Sequence, residues 1–448
     1  MASSQRPVFV PTNLKPAPKP HSDLQDPLMS PYLTETMQSN HCPPMGGREP
    51  LGFGLALAAT PCFSDARRHV GKRRPCIFLR RFGLVLTFGL VLVITAHAAT
   101  SPAPVLSLRT AITLADTGAD SGLKEELQQE ICFELMRRGE FAAAQSRAPK
   151  LPAYRHAAVL LELSARLPAN QRAEAEKLLA TAQHDLELTL DWHKSRVSRV
   201  LAVAQAKLGQ HQTAAKTARD VPDAEDRAFA LRDVVHEFCR QGEVSKAREL
   251  ADAIEENRRY GTYRQKAGAL AAIARALHVK GDQAEADALL THAASLLPKK
   301  PGWSDGGALL EVAQARFDCG QAEAGRELLV RAEVLARGIA GAWRVSELCA
   351  VATAWQSCGE RDRAQAVLKE AQQAIATFPA PERGPESLAL ARAQHAAGNV
   401  KDARLLVSAA LIDATGAGDA DVWRAQQVRA LLVWAELFGE EAVPELKQ

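Results

Sequence analysis

The sequence is poor in what most chemistry needs. Among 448 residues there are four Tyr and six Trp, which leaves little aromatic lining for a sugar-binding cleft. No CxxC and no Cys/His pair at zinc spacing occurs, so the common structural zinc and dithiol sites are excluded. The histidines are scattered with no i, i+4 pair, and no Ser/His/Asp arrangement can be singled out. No phosphate-binding loop is present: "ATGAGDAD" (414–421) is Gly-rich, but no strand pattern precedes it. A basic excess is missing too. Residues 1–98 hold 11 of the 55 Lys and Arg and 5 of the 52 Asp and Glu, which leaves the remainder slightly acidic at 44 against 47. Such a body lacks the cationic face that nucleic-acid binding requires.

Proline is abundant in one place only, with 12 of 24 in residues 1–75. That stretch has no apolar periodicity and reads as a disordered leader. Residues 76–98 follow with Arg80 and Arg81, an apolar run Phe82–Ile94, and "AHA" at 96–98. The layout is that of a signal peptide cut before Ala99, the run being short of the about 20 residues of a bilayer span. A retained anchor through residues 77–98 is the alternative, and in both cases the body is exported. Residues 99–118 read as a linker, 119–440 as a helical domain and 441–448 as a tail. A translation start near Val70 would explain the long leader.

Past residue 118 the chain is built mostly of Ala, Leu, Arg, Glu, Gln and Lys, without alternating apolar runs, so it is all-α. A period is visible on Gly139, Asn170, Gly209, Gly242, Gly281, Gly320, Gly359, Gly398 and Gly439, the last five intervals being 39, 39, 39, 39 and 41. The Gly ends a first helix, because a left-handed residue costs Gly nothing. An Asp, Glu, Asn or Gln usually follows, placed to cap or charge the second helix.

Five residues after the Gly stands a small residue: Ala144, Ala175, Ala214, Ala247, Ala286, Gly325, Ala364 or Ala403. There two helices can approach closely. Eight before the Gly stand large residues such as Ile273 and Val312, and seven before it small ones such as Ala274 and Ala313. One hairpin cannot bury its apolar face alone; about eight stacked hairpins can.

"IARALHVKGDQAEADALLTHAASLLP" (273–298) resembles a tetratricopeptide repeat in Ala274, Gly281, Ala286, Ala293 and Pro298. The resemblance spans residues 120–440, with a period of 39 where that family's unit is 34 and with the usual Trp and Tyr mostly replaced. It implies an α-solenoid, a right-handed superhelix whose concave face binds a protein or peptide.

Two polar features remain. Cys319 and Cys358 occupy one slot of neighbouring repeats, which stack about 8–10 Å apart, too far for a disulfide. With Cys132, Cys239 and Cys349 they read as small buried thiols. Fifteen residues before each Gly stand Arg155, Lys194, Arg227, Lys266, Asp305, Arg344, Arg383 and Arg424. One reading has these cations bonding the carbonyls that end the preceding helix, or a neighbour's acid. The other makes Arg227, Lys266, Arg344, Arg383 and Arg424 a basic rim for an acidic peptide or a carbohydrate.

The expectation is an exported, non-catalytic scaffold without metal or cofactor. The alternatives are a helical-repeat enzyme on envelope polysaccharide, needing a carboxylate pair by a cleft, and a structural spacer.

Overall fold

The computed structural model describes residues 107–117, 121–414, 420–439, 441 and 443. The leader and the signal-like segment lie outside them. The described residues form helices and connecting turns, with no strand among them. The helices are α1 (Ser107–Asp116), α2 (Ser121–Arg137), α3 (Phe141–Arg147), α4 (Ala153–Arg166), α5 (Arg172–Glu187) and α6 (Asp191–Lys207). Then come α7 (His211–Arg219), α8 (Ala224–Arg240), α9 (Val244–Asp252), α10 (Tyr263–Lys280), α11 (Gln283–Leu296) and α12 (Gly306–Asp318). The last are α13 (Ala322–Gly338), α14 (Trp343–Ser357), α15 (Arg361–Ile375), α16 (Ala380–Ala396), α17 (Val400–Ala414) and α18 (Ala420–Phe438). Helix α1 falls inside the stretch read as linker.

The turn between paired helices is built identically in seven places. Gly139, Gly209, Gly242, Gly281, Gly320, Gly359 and Gly398 have φ between 74 and 94°. In the first, Gly139 N–H donates to Met136 O (3.0 Å) and Glu140 N–H to Leu135 O (2.9 Å), and the same bonds recur in the other six. This is a Schellman ending, which consumes two carbonyls a helix otherwise leaves open.

The residue after the Gly does not cap by its side chain. Glu140, Gln210, Glu243, Asp282, Gln321 and Glu360 all have ψ of 53–61°, outside the extended region that side-chain capping uses, and none makes the bond. Their charges go elsewhere: Glu243 pairs with Lys246 at 3.0 Å and Glu360 with Arg326 at 2.7 Å. Asn170 departs from the pattern as well. Following Pro168, it sits in a 3-10 turn, Ala169–Gln171, that leads into α5.

The small slot is closed at every repeat: Ala144, Ala214, Ala247, Ala286, Ala364 and Ala403 are fully buried. A Cβ on Gly325 would overlap the Phe317 ring. Ile273, Val312, Ala274 and Ala313 are buried beside the slot as their spacing predicts.

Consecutive helices pack as pairs, α2 on α3 through α16 on α17. The first helix of each pair also packs on the first helix of the next, whereas each second helix reaches the following pair through that pair's first helix. First helices therefore crowd along an inner side and second helices spread along an outer one.

The succession closes. Helix α18 packs on α16 and α17, and also on α1 and α2. Arg138 Nη2 donates to Ala435 O (3.0 Å), and Arg429 reaches Glu126 (2.5 Å) and Glu130 (3.1 Å). One apolar cluster runs from Ala202 to Ala393, and a second joins Leu108, Ile131 and Leu161 to Val428, Leu432 and Trp434. Helix α1 thus serves as the outer partner of α18. The first and last of the described helices, which an open array would keep apart, meet each other.

Candidate functional site

The face that first helices turn inward carries residues the repeat does not dictate. On α8, Phe229, Arg232, Asp233 and His236 follow at i, i+3, i+4 and i+7, which sets them in one stripe. Arg199 on α6 donates from Nε to Asp233 at 2.7 Å, and Arg232 donates to the same carboxylate at 2.9 Å. Both guanidiniums lie over Phe229, 4.6 and 5.1 Å from the ring centre. Two like charges can flank one ring because its electron-rich face attracts each, and Asp233 lies between them. Burial pushes the Asp233 carboxyl up, but Arg199 and Arg232 outweigh it and hold the group below the usual carboxylate range.

Glu311 on α12 reaches over α10 to the same stripe. Its Oε1 lies 2.8 Å from His236 Nε2 and its Oε2 3.9 Å from Arg232. The crossing is open because α10 has Gly268 beneath it, where a Cβ would overlap the Glu311 carboxylate. Burial again raises the carboxyl, yet His236, Arg232 and Arg275 together draw it down to about 2. Four helices are thereby tied by charge across the inner face.

Because the folded value lies below the ordinary 4.5, the stabilisation from Glu311 is complete above pH 4.5 and disappears as pH falls towards 2. Urea midpoints of the wild type and Glu311→Gln are expected to differ most at neutral pH and to converge below pH 3. A gap that stays constant down to pH 2 refutes the ion-pair account.

Asp233 and Glu311, held ionised at neutral pH, have no proton to give, so as a pair they suit holding charge rather than acid catalysis. Glu347 on α14 and Glu386 on α16, each twelve residues before its Gly, differ. Burial raises both carboxyls, and Ser346 donates its hydroxyl to Glu386.

The basic row is placed within reach of the chain's own acceptors. Lys266 Nζ donates to Ala251 O (2.7 Å), and Arg227 to Val221 O (3.0 Å) and Pro222 O (3.1 Å), near the end of the preceding helix. Arg344 pairs with Glu370 at 2.7 Å, Arg383 with Asp413 at 3.0 Å, and Arg424 with Asp421. Arg155 donates to Gln129 at 2.6 Å, and Asp305, the acid of the row, accepts from Tyr263 at 2.5 Å. These bonds are the ones the first of the two readings expects.

The five thiols of the described residues are unpaired. Burial pushes Cys132 and Cys239 up to about 12 and Cys319 and Cys358 to about 11, and raises Cys349 further, so all stay protonated and unreactive at neutral pH. No cluster of His, Cys, Asp and Glu fit for a metal occurs among the described residues.

Arg199, Phe229, Arg232, Asp233, His236 and Glu311 escape a search that aligns repeats, since alignment rewards what recurs. The signal that finds them is the opposite one: polar residues at inner-face positions that vary from unit to unit.

No protein-family model matches the chain, and no curated protein does. Among solved structures, Ton1535 from Thermococcus onnurineus NA1 aligns over 77% of this chain and 98% of its own, with 14% identity and a TM-score of 0.24. At that TM-score the likeness carries no argument about fold or function.

Proposed function

We propose that the chain is an exported, non-catalytic protein-binding scaffold, a tetratricopeptide-like α-solenoid whose inner face holds a segment of a partner protein. The observation that carries the reading is the charged stripe on α6, α8 and α12. It pairs fixed cations with fixed anions beside an aromatic ring, on the side where first helices converge. Such a surface recognises a polar segment by matching charges, and the low values of Asp233 and Glu311 keep these two anions charged across physiological pH.

A photo-crosslinking residue at Leu310, next to Glu311, tests this in envelope extracts. It is expected to capture a defined partner segment that the same group at the exposed outer position Val334 does not. Equal capture from both positions counts against the reading.

Glu347 and Glu386 favour a second reading, an enzyme acting on envelope polysaccharide, because buried carboxyls with raised values can donate protons. Turnover of a glycan panel by the wild type, lost in Glu347→Gln, would replace the first reading with the second.

A further inference from the structure

Among the described residues, one edge of the helical array exposes large aromatic side chains and the opposite edge exposes none. At the Gly turns, first helices pass to second helices, and the large apolar residues exposed there are the aliphatic Val279 and Val400. At the other edge, second helices return to first helices, and there Leu188, Leu190, Tyr260, Trp303, Trp343 and Val422 face solvent. The two tryptophans are 76% and 63% exposed and Tyr260 is 50% exposed.

Tyr260, Trp303 and Trp343 stand on three successive connections, into α10, α12 and α14. The first two connections are tied together, with Tyr263 donating to Asp305 at 2.5 Å and Arg264 to Ser304. Gly306, at the start of α12, lies against Glu347 in the first turns of α14. Neighbouring helix starts of this kind are set about 8–10 Å apart. The aromatics therefore follow one another along one edge.

Cations accompany them. Arg258, Arg259, Lys299 and Lys300 are exposed on the first two connections, against the acids Glu255 and Glu256. The helix ends themselves add no net charge here, because the electropositive starts of α10, α12 and α14 alternate with the electronegative ends of α9, α11 and α13, so the excess comes from the side chains. None of these cations belongs to the row that is bonded internally.

An edge with exposed amphipathic rings and a local excess of exposed cations matches an anionic lipid surface, where Trp and Tyr settle at headgroup depth and Lys and Arg meet phosphate. We propose that this edge is a membrane-docking face, seated on anionic phospholipid with Tyr260, Trp303 and Trp343 in the headgroup layer.

The full chain is suited to a direct test, because all six of its tryptophans follow residue 191. Vesicles of phosphatidylglycerol with brominated acyl chains quench only rings that reach the lipid, so insertion of the apolar run Phe82–Ile94 leaves the signal silent. We expect about one third of the emission to be quenched, two tryptophans of six. Trp303→Ala with Trp343→Ala should remove most of that quenching and weaken vesicle binding at least tenfold. Both rings are solvent-facing, so the melting temperature is expected to hold. If it drops, Arg258→Glu with Arg259→Glu supplies the same loss from the charge side.

Quenching that is absent, equal on neutral phosphatidylcholine vesicles, or unchanged by both pairs of substitutions overturns the proposal. So does binding of a soluble acidic oligosaccharide that the tryptophan variant loses while vesicles leave the emission unchanged.

Discussion

Trp355→Ala is expected to lower stability by about 3–5 kcal/mol, the range for truncating a buried large aromatic. Trp355 is 1% exposed and fills the gap between α14 and the preceding helix, α13. Its indole N–H donates to Glu333 at 2.9 Å, and Arg363 covers the ring at 4.5 Å from its centre while donating to the same carboxylate at 2.9 Å. The substitution opens a cavity and strips a donor from an acid that is itself 3% exposed. Trp355→Phe separates the two effects: it keeps most of the volume and loses the hydrogen bond, at a cost of about 1–3 kcal/mol. Urea unfolding followed by helical circular dichroism gives both values. If the two variants cost the same, packing at this slot has been misjudged.

The second large effect lies where the chain meets itself. Arg429→Ala removes the cation between Glu126 and Glu130, both on α2 and both buried. Breaking a buried pair costs about 3–5 kcal/mol, and because Arg429 is itself 32% exposed we expect about 2–3 kcal/mol here. The sign with pH is fixed by the carboxylates. Burial already raises Glu126, and the neighbouring Glu130 raises it further against the pull of Arg429. Without the arginine the two anions repel, so the penalty is greatest at neutral pH and shrinks as acid protonates them. Stability of wild type and variant compared at pH 7 and pH 4.5 checks it. A penalty that grows in acid would contradict the assignment.

The parts that repeat could be read from residues alone. Gly281, Gly320 and Gly359 sit at the left-handed turn their spacing demands, and Ala286 and Ala364 are buried where a small residue was needed. These features are local, each decided within one hairpin. The junction of α1 with α18 is not local. It depends on the rotation from each pair to the next summed over the whole array, and no motif records a sum. Helix α1 was also hidden by its shortness and by its distance along the chain from the helix it serves. The stripe of Arg199, Asp233, His236 and Glu311 stayed hidden for a different reason: its partners sit on three separate helices, and only the placement of Gly268 between them lets Glu311 cross.

The meeting of α1 and α18 bears on how the molecule is made. An open array of hairpins can begin folding at any unit and spread outward, and its ends can fray without harm to the middle. Here the outer partner of the last described inner helix is the first of the described helices to leave the ribosome, so α1 waits through some 300 residues of synthesis before its seat on α18 exists. Contacts of such sequence separation form late and slowly. The part of the apolar side of α1, with Leu108, Ala111 and Ala115, that α2 does not cover is therefore exposed until α18 has been made.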